Sequence, residues 1–193
     1  MSLNQDIFLA INSFADYNEI VDVVMIFIAQ SMPYFFIGLL FYLWFSDKKN
    51  EALFSGYSTI LAIGINKIIG LFYFHPRPFM DNLGITLLEH KADNSFPSDH
   101  TTFLFAISIM LITFQSTRTL GKITTFLAMF CGITRIYSGV HYPFDILGAF
   151  IIALISVSIF IRFKDKFYPL NKIIIGLWNS LLAIIFKRKN LNE

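Results

Sequence analysis

The feature that most constrains this chain is a series of apolar stretches, each about as long as a membrane-spanning helix. A helix needs about 20 predominantly apolar residues to cross the hydrocarbon core of a bilayer. Five stretches are candidates for such a helix: 20–45, 52–74, 101–114, 120–137 and 143–163, of which 101–114 is short. Hydrophobic residues make up 55% of the chain and charged residues only 15%, against roughly 25% charged residues in soluble domains. The sequence therefore predicts an all-α, polytopic membrane bundle that forms a single domain over residues 1–193.

The two ends of the chain carry shorter amphipathic segments. In 173–186 the polar residues Gly176, Asn179 and Ser180 recur at helical spacing and share one face with flanking lysines. A short segment with such a polar stripe is typical of a helix that lies in the membrane interface. Residues 4–14 show a similar pattern. Five crossings with interfacial helices at the termini are predicted, and a sixth crossing through 173–186 remains the alternative.

The positive charges favour one orientation. Eleven of the 15 Lys and Arg residues follow the first, third or fifth stretch: Lys48, Lys49, Arg118, Lys122, Arg162, Lys164, Lys166, Lys172, Lys187, Arg188 and Lys189. Positive residues mark the cytoplasmic side of a membrane protein. The prediction is an N-terminus outside the cell and a cytoplasmic C-terminus. No removable signal peptide is expected at the start, and a net charge of +2 gives no indication of a nucleic-acid partner.

Three polar stretches fall on the predicted outer side, at 75–82, 94–102 and 134–145. Arg77 and Arg135 offer planar cations that match phosphate oxygens. Ser98 precedes an apolar helix and suits an N-cap, and the free N–H groups of such a helix start bind anions. No Cys/His or multi-carboxylate set with metal-ligand spacing is evident, so we expect no metal ion and no other cofactor.

Two histidines complete the chemistry that these stretches suggest. His100 and His141 are candidates for proton transfer and nucleophilic attack near neutral pH. Asp145 lies four residues after His141 and can hold one ring nitrogen, which fixes the tautomer and leaves the other nitrogen free. The combination predicts a phosphate-transfer site at the outer membrane surface.

The motifs resemble those of the type-2 phosphatidic acid phosphatase superfamily, whose pattern is K-x6-R-P, then P-S-G-H, then S-R-x5-H-x3-D. This chain has Arg77-Pro78, then 97–100 as P-S-D-H, then Thr134-Arg135 with His141 and Asp145 at the family intervals. The similarity covers roughly residues 67–145. The stretches around Arg77 and Ser98 also resemble the bacterial undecaprenyl-diphosphate phosphatases of the bacitracin-resistance type.

This resemblance implies a mechanism and a substrate. His141 is expected to attack the terminal phosphorus and form a phosphohistidine, with Asp145 supporting its imidazole. His100 is expected to protonate the leaving lipid phosphate and then to activate water, while Arg77, Arg135 and Ser98 hold the phosphate. The implied substrate is a polyprenyl diphosphate in the plasma membrane of a bacterium, a carrier lipid recycled for cell-wall peptidoglycan synthesis.

Two departures from the family pattern leave roles open. Lys67 stands ten residues before Arg77 rather than seven, so it is a candidate either for phosphate binding or for snorkelling to the surface. Asp99 replaces the family glycine, and an acid beside a phosphate must turn away, bind a cation or help orient His100. The alternatives for the whole chain are a phosphatase of monoester phospholipids, such as phosphatidate or phosphatidylglycerol phosphate, and a membrane permease or efflux subunit.

Overall fold

The computed structural model describes residues 2–189, with side chains through Ile185, so the side chains of Lys187, Arg188 and Lys189 lie outside the described residues. Within that range the chain is all-helical. Its seven α-helices are α1 (Leu3–Asn12), α2 (Glu19–Phe45), α3 (Lys49–Phe72), α4 (Asp99–Thr113), α5 (Arg118–Tyr137), α6 (Pro143–Arg162) and α7 (Lys164–Lys189). A short 3₁₀ helix, Pro78–Asp81, interrupts the loop between α3 and α4.

The central element is α4, which packs against α3, α5 and α6. It is apolar around its whole circumference, with buried Leu104, Phe105 and Ile107 facing different neighbours, as expected for a helix enclosed by others. Close approach of α5 is possible because Gly121 has no side chain, since a Cβ there would lie 2.5 Å from the Ile112 nitrogen. The enclosed position of α4 fixes where its first turn can lie.

Four of the described helices are long and apolar enough to cross a membrane: α2, α3, α6 and residues Lys164–Ile185 of α7. α4 has 15 residues, or about 22 Å at 1.5 Å per residue, which is short of a full crossing. α5 has 20 residues but carries two Arg and one Lys. The chain is thus a multi-pass membrane protein, and the count of five crossings stays a prediction.

The C-terminal helix is longer than the sequence indicates, since α7 begins at Lys164 instead of residue 173. Its contacts nevertheless stay at one end of the bundle, where α2 ends and α3 begins. Asn171 donates to Asn50 Oδ1 at 2.9 Å, and two turns later Trp178 packs edge-to-face on Trp44, with ring centroids 5.6 Å apart. A helix that keeps to one end in this way supports the prediction of an interfacial helix.

The N-terminal helix packs against α5 and α6 at the opposite end. A capping box between Ser2 and Gln5 begins it, and the two buried asparagines on its inner face bind backbone groups elsewhere. The Asn12 amide donates to the carbonyls of Ile85 and Tyr137, both at 2.8 Å, and its oxygen accepts from Ile85 N–H at 2.6 Å. α1 therefore fastens the α3–α4 loop to the end of α5.

Candidate active site

The three polar stretches predicted to converge do meet, at the end of the bundle where α3 and α5 end and α4 and α6 begin. A cavity of about 560 Å³, called here the α3-side cavity, opens among them. Five of the eight predicted site residues line it: Lys67, Arg77, Asp99, His100 and His141. The other three, Ser98, Arg135 and Asp145, are at most 2% exposed and lie outside its lining.

Helix α6 places His141 and Asp145 relative to each other. Pro143 starts the helix, and the Asp145 carboxylate caps it by accepting from the Tyr142 N–H at 2.8 Å. The Asp145 Oδ2 atom also lies 3.3 Å from His141 Nδ1. On the far side of the ring, His141 Nε2 lies 3.1 Å from Arg77 Nη1.

These contacts define the tautomer of His141. A guanidinium nitrogen can only donate, so Nε2 of His141 must accept from Arg77. A carboxylate can only accept, so Nδ1 carries the proton and donates to Asp145. The Nε2 lone pair therefore points toward the cation that would also attract a phosphate oxygen, which is the orientation a nucleophilic imidazole requires.

The surroundings of His141 also favour its neutral form. The residue is 1% exposed. Burial lowers the pKa of His141 to about 3, and the charges of Arg135 and Arg77 act in the same direction, against the opposing effect of Asp145. At neutral pH the imidazole is therefore unprotonated on Nε2 and available for attack.

Asp145 has two further partners that the sequence does not reveal. Ser95 donates to Asp145 Oδ2 at 2.5 Å. His75 Nδ1 lies 3.5 Å from Oδ1 but is not aligned for a hydrogen bond, so this contact is mainly electrostatic. The interaction with Asp145 raises the pKa of His75, although burial opposes it. Asp145 is thus shared between two histidines.

Arg77 is held in place on every side. Its Nε donates to Asp93 Oδ1 at 2.9 Å, Nη1 donates to the Val140 carbonyl at 2.8 Å, and Nη2 donates to the Asn94 carbonyl at 3.2 Å. It is 5% exposed. The guanidinium is therefore aimed at His141 by backbone carbonyls, and one exposed carboxylate, Asp93, balances its charge.

Arg135 lies close enough to His141 and His100 for its charge to affect both, but it does not line the α3-side cavity. It lines a second cavity of about 420 Å³, called here the α2-side cavity, with Gln30 and Tyr34 of α2. The side chain is 2% exposed, yet its Nε and Nη2 atoms have no hydrogen-bond partner among the described residues. Buried polar groups are nearly always satisfied, so an unpartnered guanidinium indicates a place for water or an anion.

His100 and His90 line both cavities. His100 lies in the first turn of α4, which Ser98 begins: the Ser98 hydroxyl accepts from Thr101 N–H at 3.5 Å. The N-cap prediction for Ser98 is confirmed, while direct phosphate contact by its hydroxyl stays a prediction. The enclosed first turn holds His100 between the two spaces.

The two departures from the family motifs turn out to be partners. Lys67 Nζ lies 2.5 Å from Asp99 Oδ2, and Asn66, which is buried, donates to Asp99 Oδ1 at 2.9 Å. The acid at the helix start is thus neutralised by a cation from α3. Both members remain solvated, with side chains 70% and 42% exposed.

Several residues at the site escape sequence reasoning. Three of them belong to a polar loop, in which solvation alone would explain a charged or polar side chain. In the structure His75 contacts Asp145, His90 lines both cavities and Asp93 pairs with Arg77. Ser95 and Asn66 carry no motif signal at all. Within the described residues, no group of three or more His, Cys, Asp or Glu is arranged to hold a metal ion.

Comparison with known proteins agrees with this geometry. The chain matches the PAP2 superfamily over residues 51–169, which include all eight site residues predicted from the sequence. This protein belongs to the PAP2 superfamily, and its class is that of the phosphatases, a class of hydrolases.

Curated relatives resemble the chain over most of its length. It is 33% identical over 189 residues to the undecaprenyl-diphosphatase BcrC of Bacillus subtilis (strain 168), covering 96% of this chain and 97% of that protein. It is 34% identical to the bacitracin transport permease protein BcrC of Bacillus licheniformis, over 80% and 77% of the two chains. A putative undecaprenyl-diphosphatase, YbjG of Escherichia coli (strain K12), is 28% identical over 80% and 79%.

Two solved structures share the fold. LpxE of Aquifex aeolicus superposes with a TM-score of 0.72 at 26% identity, covering 84% of this chain and 96% of that one. A transmembrane PAP2-type phosphatidylglycerolphosphate phosphatase from Bacillus subtilis superposes with a TM-score of 0.66 at 22% identity, covering 84% and 85%.

Proposed function

We propose that this protein hydrolyses undecaprenyl diphosphate to undecaprenyl phosphate and inorganic phosphate through a phosphohistidine intermediate. The observation that carries the proposal is the placement of His141: its Nε2 atom, 3.1 Å from Arg77 Nη1, faces the cavity, while Nδ1 is held from behind by Asp145. The undecaprenyl-diphosphatase name of the relative that matches 96% of the chain supports the choice of substrate.

In the first step, Nε2 of His141 attacks the terminal phosphorus and the bond to the bridging oxygen breaks. The new positive charge on the imidazole is stabilised by Asp145 through Nδ1–H. His100, which lines the same cavity, protonates the departing lipid phosphate. Such a step consists largely of positioning and charge stabilisation.

The positive charge that this step needs comes from the side chains. Arg77 replaces its contact with His141 by a contact with a phosphate oxygen, and Arg135 brings an unpartnered guanidinium close to the same centre. A buried cation whose donors are already oriented stabilises developing charge without reorganising. In the second step His100 takes a proton from water, which releases inorganic phosphate from His141.

A lipid substrate fits the outer wall of the α3-side cavity. Ile68 and Leu71 line it and are 58% and 80% exposed on the outside of α3. In a membrane-spanning helix these side chains face the acyl region, so a prenyl tail can remain in the bilayer while its diphosphate reaches His141. We assign the whole chain, residues 1–193, to this one phosphatase domain.

The charge distribution supports a site on the outer face of the plasma membrane. The cavity end carries Lys67, Arg77, Lys91 and Arg135, whereas the cationic residues of the α2–α3 and α4–α5 connections lie at the other end. Positive residues favour the cytoplasm. The outer face is where a carrier lipid becomes free after it delivers a cell-wall precursor, so a phosphatase that recycles the carrier would act there.

The test is phosphate release from undecaprenyl diphosphate by purified protein, with and without EDTA, alongside phosphatidate and phosphatidylglycerol phosphate. The expected result is release from the diphosphate, unchanged by EDTA and faster than from either monoester. Preference for a monoester would select the alternative phosphatase. The absence of release from all three lipids would favour a permease, the term in the name of the Bacillus licheniformis relative.

A second measurement tests the nucleophile. We expect the protein to incorporate phosphate from terminally labelled substrate in an acid-labile, base-stable form, and His141→Ala to abolish both the label and turnover. His90→Ala is the comparison variant: its ring lies 6.3 Å from that of His141 without contacting Asp145, so it should slow turnover but keep the phosphate label. Retained hydrolysis by His141→Ala would contradict the assignment.

A further inference from the structure

The candidate site has two cavities with different walls. The α3-side cavity contains His141 and borders exposed apolar residues of α3, including Leu71. The α2-side cavity contains Arg135 and is bordered by Gln30, Tyr34 and Glu89. They share His90 and His100. The α3-side cavity thus adjoins exposed apolar residues of α3, whereas the α2-side cavity is bordered by polar side chains of α2 and of the α3–α4 loop.

The polar walls of the α2-side cavity include an unusual residue. Gln30 lies in the middle third of α2, a helix that is otherwise apolar from Val23 to Phe45 apart from Ser31, Tyr34 and Tyr42. Its side chain is exposed. An amide facing hydrocarbon without a partner costs several kcal/mol, so its position beside a polar cavity indicates that this part of α2 meets water.

The guanidinium of Arg135 gives the second, independent indication. The side chain is only 2% exposed, and it lines the α2-side cavity but not the α3-side cavity. Its Nε and Nη2 atoms have no hydrogen-bond partner among the described residues. These two nitrogens lie on one edge of the planar group, the edge that binds two oxygens of a phosphate at once. Arg135 therefore gives the cavity wall a cation with two unused donors, which a small oxyanion can engage once the side chain turns them toward the cavity.

We propose that the α2-side cavity is the aqueous compartment of the site, through which water reaches the phosphohistidine and inorganic phosphate leaves, with Arg135 as its transient ligand. The lipid stays in the α3-side cavity throughout. This inference rests on the proposed function. It accounts for the position of His100, which borders the lipid in one cavity and water in the other and so can serve both steps.

The chemistry balances as follows. A water oxygen from the α2-side cavity attacks phosphorus, the P–Nε2 bond breaks, and its electron pair returns to His141. His100 takes one proton of that water and so regains the proton that it gave to the departing lipid. One water is consumed and one phosphate is released, and exposed Glu89 repels the product at the cavity wall, which favours its release over retention.

The experiment places a bulky side chain in each cavity separately and measures which step of the reaction slows. Gln30→Trp obstructs the α2-side cavity and Leu71→Trp the α3-side cavity. Phe27→Trp is the control, because Phe27 lies one turn before Gln30 on α2, is 65% exposed and lines neither cavity. Each variant is assayed with undecaprenyl diphosphate and with the shorter farnesyl diphosphate, with inorganic phosphate as the product inhibitor.

For Gln30→Trp we expect kcat to fall about tenfold on both substrates, the labelled phosphoenzyme fraction in steady state to rise, and the inhibition constant for phosphate to rise about tenfold. For Leu71→Trp we expect a higher KM for the long lipid alone. Gln30→Leu, which removes the amide but not the bulk, should show the same changes at smaller size, and it serves if the tryptophan variant unfolds.

Three outcomes would overturn the inference. Gln30→Trp with unchanged kcat and unchanged phosphate inhibition would mean that neither water nor phosphate passes through the α2-side cavity. A defect confined to KM for the long lipid would make it the lipid entrance. Accumulation of phosphoenzyme in Leu71→Trp would route water through the other side. A wild-type protein that forms no phosphoenzyme would instead refute the proposed function itself.

Discussion

Lys67 and Asp99 form an ion pair of 2.5 Å that joins α3 to the first turn of α4 at the wall of the candidate site. Lys67 is displaced from the position of the family lysine, and Asp99 replaces the family glycine. The ion pair accounts for both departures, because each residue compensates the charge of the other. An acid at the start of α4 would repel a phosphate, and the lysine one turn deeper than the family position supplies the compensating charge. The pair leaves the cavity able to take an anion.

The first prediction concerns this compensation. Lys67→Met leaves the negative charge of Asp99 uncompensated, so Asp99 should repel the diphosphate and raise its KM about fivefold. This factor corresponds to the ~1 kcal/mol of repulsion between two like charges about 4 Å apart in water. Adding Asp99→Asn should restore most of the loss, as steady-state kinetics of the single and double variants will measure. Lys91→Met, in the exposed loop, is the control. Equal effects of Lys67→Met with and without Asp99 would show that the lysine binds substrate directly.

The second prediction concerns Asp145. Asp145→Asn keeps the shape of the side chain but offers an amide where Nδ1–H needs an acceptor, so the tautomer that leaves Nε2 free is no longer selected. We expect kcat to fall by about 10³ to 10⁴, by analogy with other carboxylate–histidine pairs. Ser95→Ala, which removes one donor to the same oxygen, should cost about tenfold. Thermal unfolding of each variant distinguishes the catalytic effect from destabilisation through loss of the α6 cap. A kcat for Asp145→Asn within tenfold of wild type would contradict the role of Asp145 in selecting the tautomer.

The third prediction concerns the order in which the histidines titrate. The interaction with Asp145 raises the pKa of His75 above 6.5, whereas burial lowers that of His141. As the pH falls from 8 to 5, His75 should gain its proton first and His141 should stay neutral. Nitrogen chemical shifts of labelled histidine, assigned with His75→Gln and His141→Gln, will show the order.

The same shift has a consequence for stability. A group whose pKa is higher in the folded state stabilises the fold fully below its unfolded pKa and loses that contribution as the pH rises through the folded value. The contribution of His75 is therefore present below pH 6.5 and declines at higher pH. His75→Gln should flatten this part of the pH profile of thermal unfolding, and an unchanged profile would mean that His75 titrates alike in both states.

Much of the site follows from sequence because spacing fixes local geometry. His141 and Asp145 face each other because four residues across a helix start bring them together, and Ser98 caps α4 because its hydroxyl precedes an apolar helix. Arg77 was also expected near His141. The helices follow from apolar length, as α2 and α6 begin and end within one residue of the predicted limits.

What the sequence does not predict depends on contacts between distant segments. Ser95 meets Asp145 only because the loop folds back over α6, at a separation of 50 residues. His75 resembles any loop histidine until Asp145 lies beside it. Arg135 lies within a correct motif, but only the packing of α2 against α5 gives it a cavity apart from that of His141. A pattern within one segment carries no information about such neighbours.

The fourth prediction concerns the clamp formed by α1. Asn12→Leu deprives three backbone groups of their partner, so we expect a loss of about 1–3 kcal/mol in unfolding free energy for the buried groups left unsatisfied. Because Ile85 lies in the loop that carries Arg77, kcat should fall as well. Ser13→Ala, whose hydroxyl is exposed, is the control for thermal unfolding and kinetics. A variant as stable and as active as wild type would show that the loop holds its position without α1.

The reach of α1 bears on how the protein is made. Asn12 binds backbone groups 73 and 125 residues further along, and Asn4 accepts from the Phe144 N–H, 140 residues away. The first helix to leave the ribosome must therefore wait for almost three quarters of the chain before it can dock. A nascent chain that stalls before α6 carries both arginines and His100 but has no assembled centre, so catalytic competence arrives only when synthesis is nearly complete.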